Sequence, residues 1–195
     1  MPLRISLLIL AIIALVAGCQ SYDVLVNKDQ VCQQKWADVE AQLQRRSDLV
    51  PNLVAVVRGS AKHEEQTLSQ VTQARAAATS LTLKAEDLED PGKMAAFAKA
   101  QDQLKGALSR LLVVQEQYPD LKANAAFHDL QIQIEGTENR ILRSREEYNA
   151  AVADYNAELG HVRGQVVNRA TGRAFKPRAY FSATPESLVA PKVSF

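Results

Sequence analysis

Apolar residues recur along most of this chain at intervals of three and four, the spacing of a helix face and not the alternation of a strand. Leu25, Cys32, Trp36, Val39 and Leu43 form a first stripe, and Val50, Leu53, Val57, Ala61, Leu68, Val71 and Ala78 a second. Met94, Phe97, Leu104, Leu108, Leu111 and Leu112 form a third, and Phe127, Leu130, Ile134, Ile141, Tyr148, Val152, Tyr155 and Leu159 a fourth. Between them stand Ser47-Asp48 ahead of Pro51, then Pro91-Gly92, then Pro119-Asp120, which read as helix boundaries. Ser47 or Asp48 is expected to cap the second helix, with Pro51 in its first turn. The pattern therefore predicts helices of roughly 25 to 38 residues, about 40–55 Å long at 1.5 Å per residue. Short connections make neighbours antiparallel, so the expected fold is all-α: a long up-down-up-down four-helix bundle over residues 19–160. Gly59, Gly106 and Gly136 fall inside these helices and imply close packing or local weakness there.

After Gly160 the periodicity fades. Residues 161–195 are expected to form an irregular C-terminal extension, basic through Arg163, Arg169, Arg173, Lys176 and Arg178. A solvated tail, a packed extension, and a small strand pair at Gln165–Val167 and Ala179–Phe181 all suit this stretch.

The other end is a different solvent problem. Arg4 precedes an apolar run from Ile5 to Ala17, short of the roughly twenty apolar residues that cross a bilayer comfortably. A charged start and a short apolar stretch are the marks of a signal peptide. The run closes on Val16-Ala17-Gly18-Cys19, which resembles the bacterial lipobox, where the thiol receives a lipid before cleavage. Residues 1–18 are accordingly expected to be a lipoprotein signal peptide, with Cys19 the lipidation site; an uncleaved anchor is the alternative. Two or more acyl chains hold firmly where one does so only marginally. Gln20 after the cysteine, by likeness to Gram-negative sorting rules, favours the outer membrane.

At the first expected turn the chain reads Gln42-Leu43-Gln44-Arg45-Arg46-Ser47-Asp48-Leu49-Val50-Pro51-Asn52-Leu53-Val54, which resembles the signature of the LemA family. Val57, Gly59, His63, Glu64 and Ala74-Arg75 continue the resemblance, followed by Tyr118-Pro119-Asp120-Leu121-Lys122-Ala123-Asn124. Glu135-Gly136-Thr137-Glu138-Asn139-Arg140-Ile141, Arg145, Tyr148-Asn149, Tyr155-Asn156 and Pro191-Lys192-Val193-Ser194-Phe195 complete it. A departure stands at Gly160-His161-Val162-Arg163, where the family usually has a Phe-Pro pair. The resemblance implies a four-helix antiparallel bundle outside the cytoplasmic membrane. It implies no defined reaction. Many members look to use an N-terminal transmembrane helix, where this chain has a stretch that resembles a lipobox.

Charge narrows the partners. The 23 basic and 22 acidic residues nearly cancel, so no global field points to nucleic acid. With Cys19 modified, Cys32 has no partner for an intramolecular disulfide and is expected as a small buried hydrophobe.

Some polar residues fall where a core residue is due. Glu64 and Arg75 lie on the second stripe, Glu138 and Arg145 on the fourth. A buried charge without a partner is costly, so these four are expected to pair as a buried network that sets helix register; a ligand or partner site built on the same groups is the alternative. Arg45, Asp48 and Asn52, at the expected first turn, form a candidate docking tip away from the membrane. Tyr148-Asn149 and Tyr155-Asn156 repeat at seven and share a face, as a seam of hydrogen-bonded hydroxyls or a ligand-stacking surface. A di-metal bundle site needs Glu-x-x-His on two helices. Only Glu158–His161 has that spacing, and His63 and His128 lack the glutamate, so no metal site, cofactor or catalytic residue is expected. No Gly-x-Ser-x-Gly, Walker loop or His-Glu-x-x-His is present. The expected function is a membrane-anchored cell-envelope lipoprotein acting as an interaction or scaffold module, with a lipid anchor and another envelope protein as partners. The alternative is an envelope-associated enzyme using a polar layer between the helices.

Overall fold

The computed structural model describes residues 2–60, 64–172 and 175–182, and in the first helix the side chains of Gly18 and of residues from Gln20 onward. The side chains of the leader and of Cys19, His63 and Ala61 of the second stripe, and the closing Pro191–Phe195 lie outside the described residues. The described chain is all-helical: α1 (Pro2–Ser60), α2 (Glu65–Ser80), α3 (Pro91–Val113), the single turn α4 (Pro119–Lys122), α5 (Ala125–Gly160) and α6 (Val162–Ala170). Short 3₁₀ turns at Asp87–Glu89 and Val114–Gln117 lead into α3 and α4. Among the described residues no helix is long and apolar enough to cross a membrane.

The first expected turn does not exist. Pro51 lies inside α1, and Ser47 and Asp48 cap nothing. Pro51 has no amide hydrogen, so the carbonyl four residues earlier, that of Ser47, loses its helical donor. Arg75 of α2 takes over: its Nε donates to the Ser47 carbonyl at 2.9 Å and to the Ser47 hydroxyl at 3.2 Å. With that acceptor satisfied, the helix runs on to Ser60, and α2 begins only at Glu65. The other boundaries fall where the prolines stand. Asp90 caps α3 by accepting from Gly92 N at 2.8 Å and Lys93 N at 3.2 Å, with Pro91 in the first turn. Asn124 caps α5 by accepting from Ala126 N and Phe127 N.

α1 and α5 are antiparallel: Lys35 meets Glu147, while further along α1 Arg46 meets Glu138. The core has two apolar halves. One gathers Val50, Leu53 and Val57 of α1 with Leu68, Val71, Leu104, Leu108, Phe127 and Ile134. The other gathers Leu25, Cys32, Trp36 and Val39 with Phe97, Tyr148, Val152 and Tyr155, and takes no residue from α2. Leu88, Val167, Ala179 and Phe181 complete it instead. Cys32 is fully buried and unpaired there, as a small hydrophobe.

Residues 161–195 are therefore not irregular throughout. Val162–Ala170 is helical, which rules out a strand at Gln165–Val167. Residues 175–182 form neither helix nor strand; Arg178 and Phe181, three apart, bond Asn156 and Asn149, seven apart on α5, a step that only extended backbone covers. Gly164 permits the tight junction of α5 and α6, because a Cβ there would lie 2.3 Å from the Glu158 carbonyl oxygen. Gly106 and Gly136 have only the ends of Arg110 and Arg140 beside them, and Gly59 has open space; close packing is not their role.

Candidate functional site

Between the two apolar halves lies a polar layer, built where an otherwise apolar stripe on α1 admits an arginine. Arg46 is only 2% exposed. Its Nη1 donates to Glu138 Oε1 of α5 at 2.8 Å, and its Nη2 to the side-chain oxygen of Gln101 on α3. Gln101 Nε2 donates in turn to the Ala78 carbonyl at 3.1 Å, one of the last-turn carbonyls of α2 that no helical amide reaches. One guanidinium thus links α1, α5 and α3, and through Gln101 the end of α2. Thr137, fully buried, returns its hydroxyl to the Gln133 carbonyl at 2.7 Å.

Beside this layer is a cleft of about 110 Å³ lined by Arg46, Gln101, Asp102, Lys105, Glu138 and Arg145, among others. Burial pushes the Arg145 guanidinium below its ordinary value, and the nearby Asp102 and Glu138 carboxylates oppose that shift. Arg145 also lies over the Phe181 ring, 4.4 Å from its centroid, a cation–π arrangement. The Nε–H groups of Arg46 and Arg145 are buried without an acceptor among the described residues. The cleft offers charge of both signs, with the carboxylates of Asp102 and Glu138 beside Lys105 and the two guanidinium groups.

The four residues expected as one network are dispersed. Glu138 and Arg145 line the layer. Arg75 approaches it from α2 but bonds Ser47. Glu64 precedes α2 at the far end, where it accepts from Tyr118 Oη and Thr67 Oγ1 at 3.0 Å. The partner that sequence reasoning missed is Arg46. Arg45, Asp48 and Asn52 form no tip: they lie along the exposed side of α1, well before its end, with Asp48 accepting from Gln44 Nε2 at 2.8 Å. Glu158 is occupied by Arg163, whose Nε and Nη2 donate to its two oxygens at 2.7 and 2.8 Å. This pairing holds the Glu158 carboxyl below its ordinary value.

The Tyr-Asn face of α5 has an occupant, the extended segment 175–182, hereafter the strap. Asn156 donates from Nδ2 to the Arg178 carbonyl at 2.9 Å and accepts from the Arg178 amide at 2.8 Å. Asn149 does the same for Phe181, at 3.1 and 2.8 Å, and Asn168 of α6 for Phe175, at 3.1 and 2.9 Å. Tyr155 Oη donates to the Lys176 carbonyl and Tyr148 Oη to the Ala179 carbonyl, at 3.1 and 3.0 Å. Burial pushes the Tyr155 phenol up to about 12 and raises that of Tyr148 as well, so both remain donors. Opposite α5, the Ala179 amide donates to the Leu88 carbonyl at 2.7 Å. Arg178, 6% exposed, reaches Asp29 of α1 through Nη2 at 2.7 Å and Nε at 2.9 Å.

A family model, that of the LemA family, matches residues 35–195. The leader and the first part of the described α1 lie outside that match. No curated protein matches the chain.

Proposed function

The chain belongs to the LemA family, and from that premise we propose that it is a lipid-anchored cell-envelope protein that acts as an interaction or scaffold module and catalyses no reaction. In this reading Cys19 carries the lipid after removal of residues 1–18, and the bundle faces the outer side of the cytoplasmic membrane or sits on the outer membrane. The long helices α1, α2, α3 and α5 serve as an up-down-up-down bundle whose partner is another envelope protein.

The carrying observation is the stretch Ile5–Ala17, apolar but for Ser6, that leads into Val16-Ala17-Gly18-Cys19. In this reading the mature chain is helical from its first residues, since α1 runs unbroken past Gln20 to Ser60, and the lipid would sit directly on the bundle with no flexible linker. The polar layer supports structure better than turnover, because Arg46, the buried charge at its centre, is spent on Glu138 and Gln101 and so ties three helices together.

The test is metabolic labelling with a fatty acid together with membrane fractionation of the full chain and of Cys19→Ala. The native chain should take up label and sediment with membranes, and Cys19→Ala should do neither while keeping its helical circular dichroism. Unlabelled Cys19→Ala that stayed wholly in the membrane would overturn the lipid anchor in favour of an uncleaved one.

A further inference from the structure

The strap is held by side chains and not by a neighbouring strand. Its backbone is recognised by side chains: three asparagines each engage one residue's amide and carbonyl, at Phe175, Arg178 and Phe181, and two tyrosines serve the carbonyls between. The spacing is commensurate. Asn149 and Asn156 are seven residues apart on α5, about 10.5 Å at 1.5 Å per residue. Arg178 and Phe181 are three apart in extended chain, about 9–10 Å at 3.1–3.4 Å per residue. The repeat on the helix therefore meets the extended backbone in step. Pro177 falls between clasped residues, where no amide hydrogen is required.

Two side chains of the strap enter the bundle. Arg178 engages Asp29. Phe181, 2% exposed, stands edge-on to Trp36 with ring centroids 5.9 Å apart and packs against Phe97 at 5.8 Å. The groove thus reads an extended backbone plus an arginine three residues before an aromatic ring. The residues that read them belong to α1, α3, α5 and the loop before α3. Apart from Asn168, none belongs to the segment that delivers the strap.

Delivery depends on one backbone state. Gly172 has φ +62°, the only positive φ among the described residues, and it stands between α6 and the strap. The left-handed conformation costs an L residue where glycine enters freely. The strap's path back onto its own groove therefore hangs on a glycine, while the contacts inside the groove do not.

From this arrangement we infer that the Asn149–Asn156 face of α5, with Asp29 and Trp36 of α1, is a binding groove for extended peptide that accepts residues 175–182 of a second copy of this chain by reciprocal exchange. The strap is the one segment whose fit is established on the page, and an identical segment from a second copy makes identical main-chain clasps. Exchange of an identical element is a low-cost route to a dimer, and hinge residues set its balance. Closure within one chain has the advantage of a millimolar-range effective concentration, so dilute native protein is self-closed and exchange rises with local density. The inference goes beyond the anchored-module reading and does not need the lipid.

The experiment uses two full-length variants with different tags. One has a disabled groove and an intact strap, Asn149→Ala with Asn156→Ala. The other has an intact groove and a disabled strap, Arg178→Ala with Phe181→Ala. Mixed at high concentration, the two should be captured together, and neither should be captured with its own kind. A synthetic peptide of sequence 175–182 added to the strap-disabled variant should change the fluorescence of Trp36, the chain's single tryptophan. No fluorescence change would overturn the groove itself. Peptide binding without mixed capture would overturn the second copy as its occupant. A third variant, Gly172→Val in the otherwise native chain, guards against misfolding of the double variants. It penalises self-closure alone and should raise the dimerisation constant about tenfold per hinge, read by light scattering; an unchanged constant would count against exchange.

Discussion

Arg75 donates from Nε to the carbonyl oxygen of Ser47 at 2.9 Å, the acceptor that Pro51 strips of its helical amide. The arginine and the proline are therefore energetically coupled although they lie on different helices. Arg75→Met should destabilise the chain by about 1–3 kcal/mol, the usual cost of orphaning a buried polar group. In a Pro51→Ala background, where the Ser47 carbonyl regains an amide donor, the same substitution should cost clearly less. Urea denaturation of the four proteins measures the coupling. Equal costs in both backgrounds would separate the two residues.

The Arg46–Glu138 pair leads to a second expectation. Arg46 is buried with its bonds directed to Glu138 and Gln101, so removing one charge leaves the other stranded. Arg46→Met or Glu138→Leu alone should cost about 3–5 kcal/mol, and the double variant should recover much of that loss. Thermal melts of the single and double variants decide it; additive losses would mean that the two groups act separately.

Cys32 should be chemically silent in the folded chain. It is fully buried, and burial raises its thiol to about 11, so little thiolate exists at neutral pH for an electrophile to attack. A thiol reagent applied to Cys19→Ala at pH 8 should react only after denaturant is added. Prompt labelling of the native protein would contradict the burial.

Glu158 sets an acid limit. It is 4% exposed and clamped by Arg163, which lowers its pKa beneath the ordinary glutamate value of 4.5. A depressed folded-state pKa means that the carboxylate contributes its stability above about pH 4.5 and loses it as the pH falls through the lower folded value. Glu158→Gln should therefore be less stable than the native chain at neutral pH, with the gap closing in acid. A gap that stayed constant down to pH 2 would remove ionisation from the account.

The helical period and most boundaries could be read directly from the chain, and the one misplaced turn has a physical reason. Val39, Leu43, Arg46, Val50, Leu53 and Val57 keep threes and fours straight through the expected break. Part of the cost of a proline inside a helix is the carbonyl it strands, and here that carbonyl finds another donor in Arg75, twenty-eight residues further along. Placing a turn at residues 47–51 hid Arg46 as a core residue and made a tip of Arg45, Asp48 and Asn52. It also shifted the axial positions of Glu64 and Arg75, so that their expected partners lay elsewhere. The Tyr-Asn repeat was legible as a face of α5. Its occupant was not, because a segment whose hydrogen bonds come from other elements carries no periodicity of its own.

The way that occupant is held bears on how freely it can change. Clasps on amides and carbonyls are indifferent to the side chain of the residue they hold. Tyr180, exposed, and Lys176, exposed with a surface ion pair to Glu89 at 3.4 Å that contributes little, are thus open to replacement with docking kept, whereas Arg178 and Phe181 are not. Substitutions in residues 175–182 should be tolerated in an uneven pattern: the two long buried side chains, Arg178 and Phe181, stand three residues apart, and buried Ala179 between them has room only for a small residue. That interval is dictated from outside the segment, by the seven-residue step between Asn149 and Asn156, so drift in the tail is confined by a helix it joins only in space.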